Sequence, residues 1–100
     1  MFKDPLECYE EIATCLSRAA KTPWDRIELN ATLDGVRVDA VVGCWLEGKS
    51  EAVAYLTDIP RLASHIYDLA RLVSSEDKGL FKTFSFSLSK NGTFKTNFVY

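Results

Sequence analysis

A chain of 100 residues, 47% hydrophobic and 26% charged, fits one domain spanning 1–100 whose core needs no metal or disulfide. Its net charge of −2 and the lack of a basic stripe argue against nucleic-acid binding. No apolar run approaches the roughly 20 residues of a membrane span, and Met1-Phe2-Lys3-Asp4-Pro5 lacks the apolar stretch that would make it a signal peptide. Cys8, Cys15 and Cys44 are odd in number and form no C-x-x-C. Cys8 and Cys15 sit about 10 Å apart along an expected helix, too far to bridge. All three read as reduced, mostly buried thiols of a cytoplasmic protein. Asn91-Gly92-Thr93 matches a glycosylation acceptor, but without an export signal it reads better as a turn.

Asp4-Pro5-Leu6-Glu7 signals a helix start: Asp4 caps, Pro5 takes the first position and Glu7 completes a capping box. Tyr9, Ile12, Ala13, Leu16 and Ala20 recur at helical spacing. The helix should stop near Lys21, because Pro23 disfavours the α region at the preceding residue. Trp24 should pack beneath its end.

In "RIELNATLDGVRVDAVV", Ile27, Leu29, Ala31 and Leu33 alternate with polar residues. A two-residue turn centred on Asp34-Gly35 pairs Leu33 with Val36, Ala31 with Val38, Leu29 with Ala40 and Ile27 with Val42. Glu47-Gly48-Lys49-Ser50 turns the chain again. With a loop of two or four residues, Cys44 meets Val53 and Val42 meets Tyr55. Pro60 opens a second helix, lined by Leu62, Ala63, Ile66, Leu69, Ala70 and Val73, and 74–79 is polar loop.

The closing "SLSKNGTFKTNFVY" is a hairpin. A two-residue Asn-Gly turn would scatter its apolar side chains over both faces. A three-residue loop of Lys90, Asn91 and Gly92 instead pairs Leu88 with Phe94, Phe86 with Thr96 and Phe84 with Phe98, with Gly92 left-handed. The order α-β-β-β-α-β-β gives an α+β fold: a five-stranded antiparallel sheet with both helices on one face.

No catalytic constellation emerges. His65 has no nucleophile and orienting partner placed beside it, and a lone histidine with scattered cysteines lacks zinc-ligand spacing. No glycine-rich loop opens a helix to hold a phosphate. Catalytic residues, cofactor and metal are therefore expected to be absent. One surface resists a purely structural explanation. The outward side of the first three strands should be polar, yet beside Glu28, Asn30, Thr32, Arg37 and Asp39 it carries Val41, Trp45, Ala52, Ala54 and Leu56. Either the second helix or the following loop covers these residues, or they form an acid-fringed protein-binding patch anchored by Trp45.

The stretches "LECYEEIATCLSRAAKTPWDRIELNA", "YLTDIP" and "FSFSLSKNGTFKTNFVY" resemble the YezG-like family of bacterial toxin-immunity proteins. Trp24, Asp58, Pro60, Gly92, Phe94 and Tyr100 match its motif as fold determinants. The chain departs from it at Lys78-Gly79-Leu80-Phe81, where the family usually carries an acidic-Pro-Trp element, and at Val99. The resemblance implies a non-enzymatic protein that binds the C-terminal domain of a secreted or contact-delivered toxin, often a nuclease. On that reading the complex is one-to-one and involves neither nucleic acid nor membrane. Its contacts are expected at Asp39, Trp45, Glu47 and Glu51, with Glu28 at the edge. The alternative is a small-ligand or regulatory module with a pocket near Cys44, Tyr55 and Trp24. A cysteine-dependent enzyme using His65 ranks last.

Overall fold

The first helix, α1 (Pro5–Ala19), begins as its sequence dictates. The Asp4 carboxylate accepts from the Glu7 N–H at 3.0 Å, and Pro5 opens the first turn. Cys8, Ile12 and Leu16, four residues apart, form its fully buried stripe. The helix ends at Ala19, two residues before the expected Lys21, with Ala20 already extended. Trp24 packs against the core. The computed structural model describes residues 4–21, 23–35, 37–57, 59–74 and 79–100. Residue 22, Val36, Asp58 and most of the expected loop, 75–78, lie outside the described residues.

Five strands follow the expected order around a second helix: β1 (Arg26–Asp34), β2 (Arg37–Trp45), β3 (Ala54–Leu56), α2 (Leu62–Val73), β4 (Thr83–Ser89) and β5 (Phe94–Val99). They form one antiparallel sheet in the spatial order β3-β2-β1-β4-β5. Ile27, Leu29, Ala31 and Leu33 of β1, Val42 and Cys44 of β2, and Phe84, Phe86 and Leu88 of β4 share one buried face. The buried stripes of α1 and α2 join them in a single cluster, so both helices cover that face. The α+β architecture is as the sequence predicts.

Pairing departs from expectation in two places. In the β1–β2 hairpin Leu33 faces Val38, Leu29 faces Val42 and Ile27 faces Cys44. The strands slide by two residues because Asp34 and Arg37 themselves pair and the turn moves one residue along. An even shift keeps every side chain on its expected face. The β2–β3 connection behaves differently. Cys44 pairs with Ala54 and Val42 with Leu56, one residue away from expectation. That odd shift reverses β3: Ala54 and Leu56 pack on the core, and Tyr55 turns outward opposite Gly43.

The β4–β5 hairpin has the expected register, Leu88 with Phe94, Phe86 with Thr96 and Phe84 with Phe98. Gly92 has φ of 92°, and its N–H donates to the Ser89 carbonyl at 2.9 Å. The Asn91 carboxamide oxygen accepts from the backbone and hydroxyl of Thr93 at 3.0 and 2.8 Å. Phe84 stacks on Phe98 at 5.4 Å and Phe86 on Phe94 at 5.2 Å, with Phe81 beside them. The Tyr100 hydroxyl donates to the Val73 carbonyl at 3.1 Å, tying the last residue to the end of α2.

Pro60 does not itself open α2. Arg61 adopts φ 66° and ψ −1°, and the Leu62 N–H reaches the Ile59 carbonyl at 3.3 Å. These are the left-handed i+2 geometry and the closing bond of a type II turn with proline at i+1. The helix then starts at Leu62.

Burial pushes the Cys8 thiol up to about 11 from 9.0, with Asp68, Glu7 and Asp4 adding to the rise. Burial also raises Cys44, Cys15 and Tyr9. Each of these groups holds its proton more tightly in the fold than in the unfolded chain. For Cys8 the stabilising contribution is therefore complete below pH 9.0 and lost as the pH climbs through about 11. The Cys8 share is about 2–3 kcal/mol. The urea midpoint should fall between pH 9 and pH 11, and less steeply in Cys8→Ala. Equal slopes in the two proteins would remove Cys8 as a source of the loss.

Candidate functional site

The face of the sheet opposite the helices is uncovered by any described element. Cross-strand pairing lays its side chains out in rows. One row runs Tyr55, Gly43, Glu28, Ser87 and Lys95; the next holds Trp45, Arg26 and Ser89; on the other side lie Val41, Asn30, Ser85 and Asn97. The β4 side is polar, and the Ser85 hydroxyl donates to the Asn30 side-chain oxygen at 3.1 Å. The β2–β3 side is apolar. Val41 is 61% exposed, Tyr55 66% and Val53 43%.

Gly43 organises this patch. A Cβ there would lie 2.6 Å from Cζ3 and 2.8 Å from Cη2 of Trp45, and 3.4 Å from Cε1 of Tyr55. The benzo edge of the indole therefore occupies the space a side chain at Gly43 would fill, with the phenol beside it. An aromatic ring over a strand glycine restores the packing that the missing side chain forfeits. The Arg26 guanidinium sits 5.2 Å from the Trp45 ring centroid and 3.1 Å from the Glu28 carboxylate. It joins a cation–π contact to an ion pair. Beside the indole, Asp25, Arg26, Leu46, Glu47 and Lys49 border a concavity of about 300 Å³. Asp25 accepts the Glu47 N–H at 2.7 Å and meets Lys90 Nζ at 3.9 Å, which fixes the start of the β2–β3 loop against the sheet.

The expected contact residues divide accordingly. Trp45, Glu28 and Glu47 come together around Arg26 and Asp25. Asp39 lies on the same face of β2 but six residues from Trp45, about 20 Å along the strand, and pairs with Arg37 at 3.2 Å. Glu51 is exposed in the β2–β3 loop. The face expected to carry Val41, Trp45 and Leu56 is divided. Val41 and the half-buried Trp45 are on the open face, whereas Leu56 belongs to the core side. Tyr55, Val53 and Arg26 were missed. Correct pairing of Arg26 with Trp45 needed a turn displaced by one residue from Asp34-Gly35. No signal in the sequence separated an odd from an even β2–β3 loop.

A pocket shared by Cys44, Tyr55 and Trp24 does not form, because Tyr55 projects from the opposite side of the sheet to the fully buried Cys44. Cys15 and His65 both border a groove between the helices, yet burial raises the Cys15 pKa, the reverse of what an activated thiolate needs. Among the described residues no three or more His, Cys, Asp and Glu side chains are placed to hold a metal ion, and no described helix is long and apolar enough to cross a membrane.

Fold and surface together define an α+β domain with two helices on one face of an antiparallel sheet and an aromatic patch on the other. No protein-family model matches the chain, and no curated protein matches it.

Proposed function

We propose that this chain is a non-catalytic immunity protein that neutralises a cognate bacterial toxin. It would act in the cytoplasm, binding the toxin's C-terminal domain one-to-one and blocking the active site or substrate surface, with a nuclease the favoured target. The observation that carries the reading is the exposed cluster of Val41, Val53 and Tyr55 around Trp45 on an uncovered sheet face. Contiguous exposed apolar surface with a polar rim is the makeup of a protein-binding site, and tryptophan and tyrosine are its usual anchors. The resemblance to the YezG-like family supplies the class of partner. A nuclease must present a basic surface to its substrate, and Glu47 and Glu51 give this end of the face a negative fringe.

Co-expression with the toxin domain encoded beside it should protect cells and yield a one-to-one complex on copurification. Failure to form any complex would end the proposal. Charge reversal at Asp39 plus Glu47 should slow association about tenfold at low salt and flatten its salt dependence. Glu47 should account for most of the effect, because Arg37 already balances Asp39 at 3.2 Å. Stopped-flow rates unchanged in the double variant would take the acidic fringe out of the site.

A further inference from the structure

A groove lies away from the aromatic patch. It has a volume of about 610 Å³, within the range of small-molecule sites. One wall is α1, through Glu11, Thr14, Cys15, Arg18 and Ala19; the other is the chain from Ile59 to Arg61 and His65 on the first turn of α2. The Cys15 thiol reaches across to the Pro60 carbonyl at 3.9 Å and joins the two walls.

Arg18 and Arg61 come from opposite walls. The ion pairs among the described residues are Arg26–Glu28, Arg37–Asp39 and Lys90–Asp25, so neither groove arginine is engaged in one. Both guanidinium groups are near enough to Cys15 to pull its pKa down against the larger effect of burial, with Glu11 opposing them. The first turn of α2 contains no acidic residue and its N-cap makes no side-chain hydrogen bond. Its positive end is therefore balanced by neither a carboxylate nor a capping side chain. Arg61 is the only described non-glycine residue with positive φ. The chain holds its guanidinium beside the groove at a backbone conformation that glycine or asparagine would adopt more cheaply.

We propose that this groove binds a small phosphomonoester, its phosphate clamped between Arg18 and Arg61. Guanidinium groups suit this role because their planar forks engage phosphate oxygens two at a time. The His65 Nδ1 is buried, so the ring can donate to a groove ligand only through Nε2–H. Glu11, on the same wall as Arg18, repels a second phosphate and accepts from a hydroxyl of the esterified group. This favours a monoester bearing hydroxyls over a polyphosphate. The site is separate from the toxin-binding reading and stands or falls without it.

The test uses the full chain, with ribose 5-phosphate and inorganic phosphate as probes. Citrate and sulfate at matched ionic strength serve as controls, and binding is read by calorimetry and thermal shift. Ribose 5-phosphate should give a saturable rise in Tm, weakened about tenfold or more in Arg18→Gln and in Arg61→Gly. The unliganded Arg61→Gly protein should melt a few degrees higher than the parent, because glycine takes the left-handed conformation without strain. That rise separates loss of binding from loss of folding. Inorganic phosphate binding as tightly as the ester would assign the site to the free anion, with the same two arginines holding it. Three results would overturn the proposal: no saturable response to either probe up to about 10 mM, a response that survives both substitutions, or one matched by citrate or sulfate.

Discussion

Phe84→Ala is expected to lower the stability of the fold by about 3–5 kcal/mol. Phe84 is fully buried in the middle of the aromatic wall, with ring centroids at 5.7 Å from Phe81, 6.0 Å from Phe86 and 5.4 Å from Phe98. Its strand lies between β1 and β5, so the sheet cannot close over the void without breaking pairing on both sides. A domain of this size holds only about 5–15 kcal/mol in total, and its Tm moves about 4–8 °C for each kcal/mol. The variant should therefore melt at least about 12 °C lower. Phe98→Ala, at a half-buried position on the edge strand β5, should cost roughly half as much. Urea denaturation of the two variants measures both. A Phe84→Ala loss under about 1 kcal/mol would mean that the hairpin does not wall the core.

The second large effect concerns the open face. Trp45→Ala should weaken the toxin complex about thirtyfold or more, the level expected of a central aromatic anchor, while lowering stability no more than Phe98→Ala does, since both rings are only partly buried. Gly43→Ala makes the same point without removing any anchor. Its new methyl carbon would lie 2.6 Å from the indole, so the ring must lift off the sheet. The backbone of β2 gains from the exchange, since glycine in a strand is worth about 0.5–1 kcal/mol less than alanine. The variant should keep its circular dichroism and its Tm, shift a tryptophan emission component to longer wavelength, and bind the toxin less tightly. Trp24 also fluoresces, so the comparison belongs with Trp45→Phe, in which the shift should vanish. An unaltered emission spectrum in Gly43→Ala would place the indole elsewhere. Full affinity in both Trp45→Ala and Tyr55→Ala would remove the patch from the interface.

The particular elements differ in how much of them could be read in advance. The β4–β5 hairpin was fully legible, since Gly92 marks its left-handed position and a three-residue loop, unlike a two-residue one, puts Phe94 and Phe98 on the face of Phe84, Phe86 and Leu88. The cap of α1 was legible for a similar reason: Asp4, Pro5 and Glu7 act within one turn. The start of α2 was not, because Pro60 suits a type II turn as well as a first helical position, and the turn won. The candidate site was half legible. Trp45 and the acids stood out by residue type, whereas Tyr55 and Arg26 depend on registers that many pairings of apolar residues satisfy.

The α+β class, the order of elements and the face that each residue of β1, β2, β4 and β5 presents could all be read from the residues in order. These follow from hydrophobic alternation and turn chemistry, which act over a few residues. Contacts between distant segments set the reversal of β3, the seat of Trp45 on Gly43 beside Tyr55, and the meeting of Arg18 and Arg61 at one groove. Each of those results depends on residues distant in the chain meeting in space. The parity of a single loop, which local propensity does not set, is enough to exchange a core residue for a surface one.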